Sequence, residues 1–151
     1  MVLHAYETKS NRQEDTVAEG FQSLDQVLEQ MDLNFVGQGK HKINVETLFS
    51  TPQSLLLDIR TSGEQASLPL LFPRQVVIVH IPLSELPARR EEVDPQAVVG
   101  IFCPHGVRAS IAYTYLRAHG YANVRVLDGG YAAITEMARP GVVLSNMIEQ
   151  G

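Results

Sequence analysis

The chain has 151 residues, a formal net charge of −5, 44% hydrophobic and 19% charged residues, and a single cysteine. That length suits one domain with a proper core. One cysteine excludes an internal disulfide, and no Cys/His pair has zinc-finger spacing. The charge is uneven: residues 1–40 hold three Lys/Arg against seven Asp/Glu, leaving nine against ten for the rest. This balance argues against broad nucleic-acid binding. No early apolar stretch has the pattern of a signal peptide, and no run approaches the ~18–20 apolar residues of a spanning helix. The expectation is a cytoplasmic protein that touches neither membrane nor nucleic acid and needs no metal or other cofactor.

Val17, Phe21, Leu24, Leu28 and Met31 recur at four-three-four-three spacing, the apolar stripe of an amphipathic helix. Such a helix either covers its own domain or docks a partner or a second copy of the chain. Residues 1–33 are therefore read as an N-terminal extension, 34–140 as the domain and 141–151 as a C-terminal tail. Phe35-Val36-Gly37 and Ile43 are expected to flank a short strand. Asn44 offers an N-cap for a helix over Val45–Phe49 that Pro52 stops. Ser54–Ile59 reads as a buried strand carrying Asp58 and followed by Arg60. Thr61–Arg74, with Gly63, Pro69 and Pro73, reads as irregular. Val76–His80 is a second β-branched run, and a short polar helix begins at Ser84-Glu85-Leu86-Pro87. Ala97–Phe102 is the strand that leads to Cys103. A turn through Pro104, His105, Gly106 and Val107 follows, and Arg108 opens a helix that Gly120 ends as a C′ residue. Ala112, Tyr115, Leu116 and His119 share one of its faces. Val124–Leu127 is a last strand, and Tyr131–Met137 a last helix.

Short apolar runs alternating with helical segments predict an α/β fold: a parallel sheet covered on both faces. In such sheets functional groups gather beyond the carboxyl ends of the strands. Asp58, His80 and Cys103 each fall near such an end. A lone cysteine is by default a small buried hydrophobe. Cys103, however, sits where a helix begins, and unpaired amides and the positive end of the dipole there favour a thiolate. Cys103 precedes a proline, which biases it toward an extended backbone. Pro104 brings no N–H, so the expected anion cradle comes from the amides of residues 105 to 109, with Gly106 allowing the curl. Arg108 adds a permanent charge, and His105 a hydrogen-bond donor.

Cys103-Pro104-His105-Gly106-Val107-Arg108-Ala109-Ser110 resembles the active-site loop of the rhodanese-like (sulfurtransferase) superfamily. Asp58-Ile59-Arg60 with Glu64, His80-Ile81-Pro82-Leu83, and Gly120-Tyr121-Ala122-Asn123-Val124 followed by Leu127-Asp128-Gly129-Gly130-Tyr131 are similar to that family's other landmarks, in the same order. The resemblance spans about residues 40 to 137. The chain departs from the pattern at Gln65, where the family has an aromatic, and at Leu68–Gln75, which replaces a Gly-His-Ile-Pro-Gly-Ala stretch. The family resemblance implies a doubly wound, five-stranded parallel sheet with helices on both faces. It implies Cys103 as the nucleophile that becomes a persulfide. It implies substrate binding by Pro104, His105, Gly106, Val107, Arg108 and Ala109, with Asp58 and Arg60 bracing the loop. The implied reaction moves a sulfane sulfur from a small anionic donor such as thiosulfate to a thiol, a cyanide-like acceptor or a protein sulfur carrier. Two other readings stay open: a cysteine-based phosphatase or arsenate reductase, and a non-catalytic binding module. The loop has four residues between Cys103 and Arg108, one fewer than the Cys-x5-Arg of thiol phosphatases.

Overall fold

The computed structural model describes residues 22–73 and 75–149. The elements begin with helices α1 (Leu24–Glu29) and α2 (Leu33–Gly37), strand β1 (Lys42–Ile43), helix α3 (Val45–Ser50) and strand β2 (Ser54–Asp58). Helix α4 (Ser62–Ser67), strand β3 (Val77–His80) and helix α5 (Leu86–Arg89) follow, the last between two 3-10 turns at Leu83–Glu85 and Arg90–Glu92. Strand β4 (Val98–Phe102), helix α6 (Val107–Ala118), strand β5 (Val124–Leu127) and helices α7 (Gly130–Glu136) and α8 (Pro140–Glu149) complete the chain.

All pairings in the five-stranded sheet are parallel, in the order β1-β5-β4-β2-β3. Successive side chains of a strand alternate between faces, so the central runs bury apolar residues both ways. Leu55, Leu57, Val99, Ile101, Val124 and Val126 point to one core, shared with Ala109, Ala112, Tyr113 and Leu116 of α6. Leu56, Phe102 and Leu127 point to the other, shared with Val45 and Leu48 of α3 and Ile134 of α7. Helices thus cover both faces, as the alternation of elements predicts. Gly100 is where α3 comes closest: a Cβ there would stand 2.5 Å from Leu48 Cδ2. Register places Asp58 opposite both His80 and Phe102, so the strand ends carrying Asp58, His80 and Cys103 lie at one level. Asn44 caps α3 through Thr47 N at 2.8 Å. Gly120 (φ +88) closes α6, with its own N–H donating to Arg117 O and that of Tyr121 to Leu116 O, a Schellman motif.

Several expectations are corrected. The segment around Phe35 is not strand: Asp32 caps it at Phe35 N, 2.8 Å, and starts α2, leaving only Lys42–Ile43 to pair with β5. Thr61–Arg74 is not wholly irregular, because Thr61 and Glu64 form a capping box that starts α4. The polar helix after Ser84 is broken into a 3-10 turn, α5 and a second 3-10 turn. The buried face of α6 runs through Ala109, Ala112, Tyr113 and Leu116, with Tyr115 only partly covered. In the N-terminal stripe, Leu24 and Leu28 are 54% and 51% exposed, whereas Val27 is 1% exposed. Ser23 caps α1 with a capping box to Gln26; α1 lies against α6 and buries Val27, not the two leucines, while Met31 of the stripe packs on the first core. Val17 and Phe21 lie outside the described residues. The expected tail is helical as α8, and Val142 packs on the second core.

Candidate active site

Strand β4 delivers Cys103 on the α6 face of the sheet, next after Phe102, which alternation sends to the opposite core. The chain then turns through Gly106, whose φ of +80 places it in the left-handed region, where glycine has no steric cost. Helix α6 begins at the next residue. This turn folds the loop back over the sulfur: Cys103 Sγ accepts from Gly106 N at 3.1 Å and from Ala109 N at 3.3 Å. Cys103 is only 3% exposed. Two of the amides expected from the sequence therefore form the cradle. Negative charge on Sγ, or on an atom bound to it, faces N–H dipoles at the positive end of a twelve-residue helix. His105 and Val107 are exposed on the outside of the turn, and Pro104 is half-buried.

Arg108 is clamped. Its Nη1 and Nη2 donate to Glu64 Oε2 and Oε1, each at 2.8 Å, a bidentate pair linking α6 to α4. Glu64 also accepts from the backbone N and the hydroxyl of Thr61, both at 2.8 Å. Hydrogen bonds from Arg108 first, then from Thr61, hold the Glu64 carboxyl well below the usual carboxylate range. Arg108 is pushed up in turn, chiefly by Glu64. Both side chains remain about one-third exposed, at 34% and 35%, at the rim of the loop.

Asp58 and Arg60 lie deeper. Both are buried, and Arg60 Nε and Nη2 donate to Asp58 Oδ1 and Oδ2 at 2.9 and 2.8 Å. Arg60 Nη1 continues to Leu68 O at 2.9 Å and Tyr131 Oη at 3.0 Å. The guanidinium lies over the rings of Phe102 and Tyr131, 5.3 and 5.6 Å from their centroids. His80 Nε2 lies 2.8 Å from Arg60 O. The group ties the ends of β2, α4, β3 and α7 together beneath the loop. With no exposure, Arg60 is out of reach of a substrate.

The other wall comes from the turn after β5. Gly130 (φ +55) passes so close to the loop that a Cβ would sit 2.5 Å from Pro104 O. Between this turn, the loop and β1 opens a cleft of about 410 Å³, lined by His41, Lys42, His105, Gly106, Ser110 and Asp128 among others. Lys42 and Asp128 pair across it at 3.5 Å. Burial and the neighbouring Lys42 push His41 down, against a smaller opposite pull from Asp128. Glu64, Gly130 and Tyr131 stand among the landmarks of the family resemblance without a site role read from the sequence, and Glu64 also has capping-box spacing from Thr61; His41 and Lys42 carry no sequence signal for the site. Among the described residues, no group of three or more His, Cys, Asp or Glu is placed to hold a metal ion. No described helix is long and apolar enough to cross a membrane.

A parallel α/β sheet that carries one cysteine into a ring of amides at a helix start defines a cysteine-loop domain. The chain belongs to the rhodanese-like domain family, whose model matches residues 44–137. Curated relatives include the tRNA sulfurtransferase of Pectobacterium atrosepticum, 31% identical over 112 residues covering 70% of this chain. This chain spans 23% of that protein's length. Among solved structures, reduced Bacillus anthracis CoADR-RHD superposes with a TM-score of 0.53 at 26% identity, covering 74% of this chain and 18% of the other. A rhodanese-related protein from Thermoplasma volcanium gives a TM-score of 0.53 at 24% identity over 66% of this chain and 95% of its own, a likeness of fold.

Proposed function

We propose that the protein is a sulfurtransferase that carries sulfane sulfur as a persulfide on Cys103. The observation that carries this reading is the cradle: Sγ accepts from the amides of Gly106 and Ala109 at the start of α6. In the first half-reaction the Cys103 thiolate attacks the outer sulfur of a donor. The Sγ–S bond forms, the donor's S–S bond breaks, and the leaving group takes the bonding pair. In the second, a nucleophilic acceptor, a thiol or a protein sulfur carrier, attacks the outer persulfide sulfur and returns the thiolate. The amides meet the negative charge as it moves. Pro104, His105 and Val107 shape the mouth, Arg108 fixes the rim, and Asp58 and Arg60 support the floor. The chain has no second cysteine, which fits discharge to an outside acceptor. Residues 34–140 are proposed as the domain, with 1–33 as an extension. The tRNA in the relatives' name belongs to proteins of which this chain spans under a quarter, as with 23% for the one from Pectobacterium. The acceptor proposed here is therefore drawn from sulfur chemistry alone.

A phosphatase reading asks Arg108 to hold phosphoryl oxygens, but Glu64 already takes two of its five N–H donors in a bidentate pair and offsets its charge. A two-stage assay tests the proposal. The protein is loaded with a labelled sulfane donor, freed of donor by desalting, and then given a thiol. Label should pass to the thiol from the wild type and not from Cys103→Ser. Label that moves only when donor and acceptor are present together, or that moves equally in the serine variant, overturns the reading.

A further inference from the structure

The loop stands at the helix start with its arginine already spoken for. Arg108 gives both terminal nitrogens to Glu64, and the Thr61 amide and hydroxyl hold that carboxylate in place. The other basic side chains around the loop are matched as well: Arg60 is buried against Asp58, and Lys42 pairs with Asp128 across the cleft. Polar contact with Cys103 Sγ comes from two neutral amides. Amide dipoles suit a single developing negative charge. They offer no counter-charge to a dianion that must approach a thiolate.

We propose that Glu64 determines donor specificity: by neutralising Arg108 it turns the site against dianionic donors such as thiosulfate and toward neutral or singly charged alkyl persulfides. This rests on the sulfurtransferase reading above. The favoured step is Cys103–S⁻ + R–S–SH → Cys103–S–S⁻ + R–SH. The Sγ–S bond forms as the R–S–S bond breaks, and the departing thiolate leaves with the bonding pair and takes up the persulfide proton. No outside oxidant or reductant enters. Glu64 is a positioning residue in this account, since it acts through Arg108 and touches neither sulfur.

The test compares loading of Cys103 by thiosulfate and by the persulfide of 2-mercaptoethanol, in the wild type, Glu64→Gln and the double variant Glu64→Gln/Arg108→Gln. Glutamine still completes a capping box with Thr61, so α4 keeps its start. A freed unit charge about 6 Å away, at an effective dielectric of about 20, is worth a factor on the order of 10,000 to a dianion and on the order of 100 to a singly charged donor, so the ratio between them changes by a factor on the order of 100. Exposure at the rim reduces this to about tenfold. Glu64→Gln should therefore raise the thiosulfate-to-persulfide ratio of kcat/KM about tenfold. The double variant, which restores the local charge balance, should bring the ratio back to within about threefold of wild type. At pH 8, above the range where an unperturbed imidazole titrates, wild-type loading by thiosulfate should rise with added salt, since like charges are being screened. In Glu64→Gln that slope should flatten or reverse. An unchanged ratio in Glu64→Gln, or wild-type thiosulfate loading that falls with salt, overturns the assignment of Glu64 while leaving the sulfurtransferase reading intact. Wild-type protein that accepts sulfur from neither donor overturns both.

Discussion

Gly130→Ala tests how tightly the turn after β5 fixes the cysteine loop. Gly130 has φ +55, and a Cβ built there stands 2.5 Å from Pro104 O, below the 3.0 Å that Cβ contacts essentially never breach. The atom struck is backbone and cannot swing aside. Pro104 or the turn must therefore move by at least the difference between those distances, 0.5 Å. Pro104 directly follows Cys103, so the shift passes into the amide ring around Sγ. Misplacement by about 1 Å costs ~100-fold in rate, so half of that predicts a loss of roughly tenfold in persulfide formation. The left-handed backbone costs the alanine a further ~1–2 kcal/mol of stability. Gly129→Ala is the control. Its φ is +94, but its Cβ would meet Ala133 Cβ at 2.6 Å, inside α7 and away from the loop. Stopped-flow loading with a sulfane donor, alongside urea unfolding, separates the two effects. Both variants should lose stability, and Gly130→Ala should lose several times more rate than Gly129→Ala. Equal rate losses, or an undiminished rate in Gly130→Ala, would refute the coupling between turn and loop.

Val27→Ala should cost about 1.5–3 kcal/mol in urea unfolding because its side chain is buried, whereas Leu24→Ala and Leu28→Ala, half exposed, should stay within about 0.5 kcal/mol; the reverse order would mean the helix packs on its leucine face. Arg60→Met leaves Asp58 buried and unpaired and should destabilise by about 3–5 kcal/mol; a melting temperature equal to wild type would remove Arg60 from the floor of the site. Because Arg108 and Thr61 depress Glu64, its share of stability is fully present above the ordinary carboxylate range and is lost progressively as pH falls from that range through the lowered value. Between pH 8 and 5 the Glu64–Arg108 pair should therefore contribute no change in unfolding free energy, which a pH series on wild type and Glu64→Gln measures as a constant difference. His41 is depressed by burial and Lys42 from 6.5, so the unfolded chain takes up its proton first and stability should begin to fall as pH drops below about 6.5. His41→Asn should lose that part of the pH slope.

The β4–Cys103–α6 unit was legible because every signal in it is local: an apolar run, a proline after the cysteine, a glycine for the turn and another at the helix end. The Asn44 cap was legible for the same reason. Helix α4 was not, although Thr61-Ser62-Gly63-Glu64 has capping-box spacing, because Ser62, Gly63 and Ser67 give it no apolar stripe to announce a helix. In α1, Leu24, Val27 and Leu28 are all apolar, and the four-three spacing through Leu24, Leu28 and Met31 pointed to a stripe that leaves Val27 out. Packing on α6 buried Val27 instead. Phe35 and Val36 favour strand by propensity, and the Asp32 cap overrode it. The clamp between Glu64 and Arg108 joins residues 44 apart in sequence, and the cleft brings His41 and Lys42 to the loop only because β1 pairs with β5. Contacts of that range are set by strand order, which no local pattern records.

Intact-protein mass spectrometry under non-reducing conditions weighs the transferred sulfur atom directly. After incubation with the persulfide of 2-mercaptoethanol and removal of excess donor, the wild-type chain should gain the mass of one sulfur atom. The gain should map to the peptide containing Cys103 and vanish on addition of a thiol. Cys103→Ser should gain nothing while keeping its fold. A wild-type chain that remains at its unmodified mass with every sulfane donor tried, while folded and with a reduced Cys103, would contradict the account.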